Sequence, residues 1–171
     1  YEEVVQAAAS ILRHTSQPVD LYIIDNASPD GTGKKLERTR FEKPVTVICL
    51  PENVGFGKGH NTVLPRLKSK YHFVLNPDIL VEEDTPVSYT HLRAHEKQNL
   101  PRRVPNVASL VARQVPGFEP LKRFDTHYTM LDEDLTKVQD IQFCTGSFFV
   151  IRTDVMKKIG GFYPAYFMYV E

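Results

Sequence analysis

The chain has 171 residues, enough to bury a core as one domain or a large part of one. Lys and Arg total 21 against 21 Asp and Glu, so the formal net charge is zero, which argues against a nucleic-acid binder or an acidic tail. A hydrophobic share of 42% and a charged share of 25% describe an ordinary globular protein, and no run reaches the ~20 apolar residues that a membrane-spanning helix needs.

From Glu2 to Arg13, Val4, Val5, Ala8, Ile11 and Leu12 recur at helical spacing and predict an amphipathic helix lying on a sheet. Leu21 to Ile24 predicts a short buried strand that leads into Asp25-Asn26-Ala27-Ser28-Pro29-Asp30-Gly31-Thr32. Lys34 to Arg40 reads as a surface helix, and Val45 to Leu50 as a second strand. That strand ends in Pro51-Glu52-Asn53-Val54-Gly55-Phe56-Gly57-Lys58-Gly59-His60-Asn61. A helix is expected to follow toward Lys70, with Pro65 kinking it or marking its first turn. Tyr71 to Leu75, bulky and without polar alternation, predicts a strand covered on both faces, stopped by Asn76-Pro77-Asp78 because Pro77 has no N–H for the ladder. Cys49 and Cys144 sit in apolar runs and are expected to fill core space; such cysteine usage fits a reducing, cytoplasmic compartment.

In the second half, Val104 to Ala112 predicts a short strand, Pro116 to Pro120 a turn, and Leu121 to Gln139 a mixed polar stretch whose Asp132-Glu133-Asp134 cluster is a solvated loop. Ile141 to Ile151 is the strongest strand of this half, with Gly146-Ser147 suited to close approach by a ligand or another backbone. Thr153 is placed as N-cap of a helix over 154–159, stopped by Gly160-Gly161. Tyr163, Tyr166, Phe167 and Tyr169 form an aromatic loop on which a sugar ring can stack, although core packing explains aromatics equally well.

Alternating helices and strands with short polar connections argue for βαβ units and a parallel sheet, with the three strand-end loops opening on one edge. Open α/β sheets hold ligands at the carboxyl ends of their strands. Singly, each loop is an ordinary turn, and Asn76-Pro77-Asp78 reads equally well that way. Together they suit a nucleotide sugar: Asp25 and Asn26 for base or ribose, Ser28 and Asp30 shaping the turn, and Gly55, Gly57 and Gly59 for close backbone approach. Asp78 suits a hard cation completed by substrate phosphates. The Gly-Lys-Ser/Thr ending of a P-loop and the G-x-G-x-x-G spacing of a dinucleotide fold are both absent.

These three loops, with Phe143-Cys144-Thr145-Gly146-Ser147-Phe148-Phe149-Val150-Ile151-Arg152, Ile159-Gly160-Gly161-Phe162 and Tyr166-Phe167-Met168-Tyr169-Val170-Glu171, resemble the successive motifs of the family 2 glycosyltransferases, nearest their rhamnosyltransferase-like branch. The resemblance implies a three-layer, Rossmann-like GT-A sheet, mostly parallel, here without its first strand, so that residues 1–171 form a partial catalytic domain. It implies inverting transfer of a sugar from a dTDP- or UDP-sugar donor to a saccharide or lipid-linked acceptor in cell-surface polysaccharide synthesis, in the cytoplasm at the inner face of the membrane. Its nucleotide-binding set falls on Asp25, Asn26, Ser28, Asn53, Gly55, Gly57, Asn61 and Asn76, and its acceptor-binding set on Gly146, Ser147 and Tyr166. Asp78 would bind Mg²⁺ or Mn²⁺, with Asn76 standing where a full D-x-D motif has its first acid. The catalytic assignment is Glu171, first member of a Glu-Asp pair whose Asp, the usual general base, would lie beyond it. A chain lacking that base and the first strand is expected to be an inactive fragment. A sugar-phosphate nucleotidyltransferase and a non-catalytic nucleotide-sugar binding module remain the alternatives.

Val87-Ser88-Tyr89-Thr90-His91-Leu92-Arg93-Ala94-His95-Glu96 resembles the conceptual translation of a sequencing-library transposon adapter. Residues 87–103 are therefore expected to be non-native or irregular, and the i, i+4 pair His91 and His95 to be no metal site.

Overall fold

Val4, Val5, Ala8, Ile11 and Leu12 make one apolar stripe, and in the computed structural model helix α1 (Glu2–His14) winds around it, burying Ala7, Ala8 and Leu12. Glu2 and Glu3 in its first turn and Arg13 and His14 in its last complement the helix dipole. The structure describes residues 1–81, 101–103, 107–114, 119–134, 143–144 and 148–166. The adapter-like run, Gly146, Ser147 and Glu171 lie outside these residues.

The chain forms two compact units, one of Tyr1–Val87 with Ser147–Glu171, the other of Ser88–Gly146. In the first, β1 (Leu21–Asp25) and β2 (Val45–Cys49) pair in parallel from Leu21 opposite Val45 to Asp25 opposite Cys49, joined through α2 (Thr32–Arg38). This is the parallel βαβ arrangement that the alternation of elements predicts. Strand β3 (Tyr71–Leu75) pairs antiparallel with a strand from the far end of the sequence, Phe148–Arg152, with Tyr71 opposite Arg152 and Leu75 opposite Phe148. Helix α1 ties both pairs together. Tyr1 Oη and Thr39 Oγ1 lie 2.8 Å apart at the end of α2, Lys43 Nζ donates to the carbonyls of Leu12 (2.8 Å) and Thr15 (3.3 Å), and Val81 N–H beyond β3 donates to Ser10 Oγ (3.0 Å). Leu12, Leu36, Val63, Leu67, Val74, Val81 and Met156 are buried in this unit.

Several boundaries differ from the sequence reading. The helix expected after Asn61 begins earlier, as α3 (Phe56–Asn61) inside the glycine motif. It gives way to a 3₁₀ turn over Leu64–Arg66, with Pro65 in its first turn, because a residue without N–H cannot extend the α-helical ladder. Cys49, expected in the core, is exposed. At the far end, α6 (Thr153–Lys158) starts one residue before the predicted helix. Thr153 N–H donates to Lys70 O (3.0 Å), carrying the strand contact into the helix, so Arg152 is the N-cap and the buried Thr153 hydroxyl caps nothing.

The second unit carries β4 (Pro101–Arg102) antiparallel to β5 (Phe143–Cys144), so the strand at 148–152 is β6. Its helices are α4 (Val107–Gln114) and α5 (Glu119–Tyr128). Both correct the sequence reading, which gave a strand over 104–112 and an irregular stretch from Leu121. A short apolar run does not separate strand from buried helix by periodicity, and Pro120 marks the first turn of α5. Arg103 anchors the acidic cluster, reaching Asp132 at 2.8 Å and Glu133 at 2.6 Å. The Arg103 guanidinium holds the Asp132 carboxyl below the ordinary carboxylate range.

Candidate functional site

The loops after β1 and β2 are built around one side chain. Asn26 Oδ1 accepts Val54 N–H (2.9 Å), and its amide nitrogen donates to Asn53 Oδ1 (3.0 Å) and Gly55 O (3.1 Å). Asn53 Oδ1 also accepts Gly55 N–H at 3.0 Å. Gly55 adopts φ 87° and ψ 170°, a conformation essentially closed to side chains, which turns the chain from the knot into α3. Ala27 takes φ 59° beside Asn26, a left-handed conformation that costs a non-glycine residue roughly 1–2 kcal/mol.

Asp25, only 8% exposed, closes β1. Its Oδ2 accepts Ser28 N–H (3.3 Å) and its carbonyl accepts Leu50 N–H (2.8 Å). Helix α2 packs directly on this carboxylate. A Cβ at Gly33 would run into the Asp25 carboxyl and come within 2.9 Å of Cys49 Sγ, so a glycine is needed there, a requirement the sequence reading missed. Asp30 accepts from Thr32 N–H (3.0 Å) and Thr32 Oγ1 (2.8 Å), which starts α2 and holds the Asp30 carboxyl below its ordinary range.

Asn61 plays a different part from the one its motif implies. Its amide donates to Phe162 O (2.7 Å) and its Oδ1 accepts Phe162 N–H (2.9 Å), so both ends are committed to a backbone segment 101 residues away. Gly161, at φ 82°, makes the clamp possible, since a Cβ there would run into the Asn61 amide and Leu64. Phe162 then packs edge-on against Phe56 (5.6 Å) and Phe149 (5.9 Å). His60 lies 4.4 Å from Phe56 and 5.7 Å from Phe162, and burial, helped by nearby His72, pushes its pKa down to about 4. Burial also lowers the pKa of His72, whose Nε2 has no partner among the described residues.

The β3 loop is unlike the other two. Ile79 N–H donates to Asn76 O (3.3 Å), closing the turn around exposed Pro77 and Asp78. No hydrogen bond or ion pair engages the Asp78 carboxylate among the described residues, and none links this loop to the Asn26 knot. The structure thus brings together Asn26, Asn53 and Gly55, sets Asp25 and Ser28 beside each other, and leaves Asp78 on its own turn. Gly57 is buried within α3. Tyr166 is exposed and lies edge-on to Tyr163 at 5.6 Å. Among the described residues no three His, Cys, Asp or Glu converge to hold a metal ion by themselves.

The glycosyl transferase family 2 model matches residues 1–160. The chain is also 28% identical, over 135 residues, to the rhamnosyltransferase WbbL of Escherichia coli (strain K12), an alignment covering 68% of this chain and 51% of the relative. It therefore spans about half the length of the curated relative it matches. No solved structure is matched. A family match running through the Asn26 knot, the Asp78 turn and the Asn61 clamp makes the chain a member of glycosyl transferase family 2, with an incomplete α/β GT-A fold.

Proposed function

We propose that this chain carries the donor side of an inverting, metal-assisted hexosyltransferase that takes a dTDP- or UDP-sugar, with rhamnose as the transferred sugar. Both compact units belong, on this reading, to one partial catalytic domain. The acceptor is a saccharide or a lipid-linked saccharide of a cell-surface polysaccharide, met at the inner face of the membrane.

The observation that carries the reading is the Asp78 carboxylate, left free by its own protein just past the end of β3. Its donor set fits a hard cation: one unshared carboxylate, no ready-made cage, and room for diphosphate oxygens to complete the shell. A bound Mg²⁺ or Mn²⁺ would neutralise charge on the leaving nucleoside diphosphate. Asp25 and Ser28 hold the nucleoside side, and Asn76 lines the turn between it and the metal. The Asn26 knot fixes the backbone of the Asn53–Gly57 segment for close approach by the donor, and Asn61 supports that segment from behind. Gly146, Ser147 and Tyr166 meet the acceptor, and Glu171 belongs to the segment that supplies the base.

Calorimetric titration of UDP and dTDP, each with Mn²⁺, into the chain and into Asp78→Ala tests this. Metal-dependent binding of one nucleotide, lost in the variant, is expected. A folded sample, judged by circular dichroism, that binds neither nucleotide overturns it.

A further inference from the structure

At the end of β3 opposite the Asp78 turn, Leu67 to Lys70 and the start of α6 line an open cleft whose charge is far from the balance of the whole chain. Lys68, Lys70, Arg152 and Lys157 face it together with one acid, Asp154. That acid is taken: Arg152 holds it through two contacts, at 3.0 and 2.7 Å. Lys157 donates to the Leu67 carbonyl at 2.6 Å, a bond that fixes its position and leaves its charge uncompensated. Three lysine charges therefore remain concentrated in a chain of zero net charge. Beside them, large apolar side chains stand in solvent: Ile159 at 63%, Tyr71 at 45% and Val155 at 40% exposure. Val155 and Ile159 are one helical turn apart, and Lys70 Nζ sits 5.2 Å above the Tyr71 ring.

We propose that this face docks on an anionic lipid surface, with Lys68, Lys70 and Lys157 at the headgroups and Ile159, Val155 and Tyr71 in the acyl boundary. Cations alone would suit any polyanion. Exposed aliphatic side chains interleaved with them suit the boundary layer of a bilayer, where buried apolar area and headgroup attraction add. This deepens the proposed work at a membrane by naming the surface that meets it. The cleft contains no residue of the donor site, so the two readings can fail separately.

The test is co-sedimentation of the whole chain with vesicles of phosphatidylcholine alone and of phosphatidylcholine with an equal part of phosphatidylglycerol, without donor or acceptor. Binding to the anionic vesicles only, weakening with added salt, is expected. Lys68→Glu with Lys70→Glu should weaken it by about tenfold or more, and the matched surface pair Lys34→Glu with Arg40→Glu by less than about twofold. Ile159→Ser should cost roughly threefold while leaving the salt dependence unchanged. Absence of vesicle binding by folded protein overturns the proposal, as does equal loss in both charge pairs. Binding that ignores Ile159→Ser and is displaced by heparin overturns it in favour of a soluble polyanion.

Discussion

Asn26 spends both ends of its amide on Asn53 and the backbone of the next loop, whereas Asp78, also just past a strand end, keeps its carboxylate in solvent with no partner among the described residues. The first pattern builds shape and the second stores chemistry. A polar group already paired within the protein has little left for a ligand, and its loss is felt as stability. An unpaired exposed acid contributes little to stability, and its loss is felt only when something binds.

The contrast breaks most visibly at Asn26. Asn26→Ala removes three hydrogen bonds and leaves Val54 N–H and Gly55 O to find water, so a loss of roughly 3–4 kcal/mol is expected in urea unfolding. Nucleotide affinity should fall with it as the loop loosens. Acid attacks the same side of the contrast. The folded pKa of His60 lies below its ordinary value, so its contribution is full above about pH 6.5 and drains away as pH falls toward 4. Over that window about 3 kcal/mol should be lost, checked by unfolding at a series of pH values. His60→Phe should flatten much of the slope, leaving the smaller share of His72, which runs in the same direction. Asp78→Ala tests the other side: about a hundredfold loss of metal-dependent nucleotide affinity with stability changed by less than about 0.5 kcal/mol. A large stability change there would erase the distinction. The smallest effect is expected at Ala27→Gly, where relief of the left-handed strain, reduced by the added freedom of the unfolded chain, should raise stability by about 0.5 kcal/mol.

The sequence was legible where one local cause dominated. Helix α1 and strands β1, β2 and β3 follow from apolar spacing bounded by Pro and Asn/Asp turns, and the observed ends differ by a residue at most. Helix α4 was misread because Val107 to Ala112 is apolar enough for either state. The candidate residues were found by motif, but their division of labour was not, since it depends on pairings between distant segments. Nothing local says that Asn26 meets Asn53, or that Asn61 closes on Phe162 and so supports the site from behind. The one sequence signal for that clamp was Gly160-Gly161, which reads locally as a mere helix stop.

The antiparallel pairing of β3 with β6 also sets an order of events during synthesis. Residues 71–75 must wait for 148–152, and Asn61 for Phe162, so the first unit stays unfinished on the ribosome until the intervening chain has emerged. Until then the β3 edge has no β6 to pair with, and a nascent chain paused in that interval offers chaperones, or another nascent copy, an open strand.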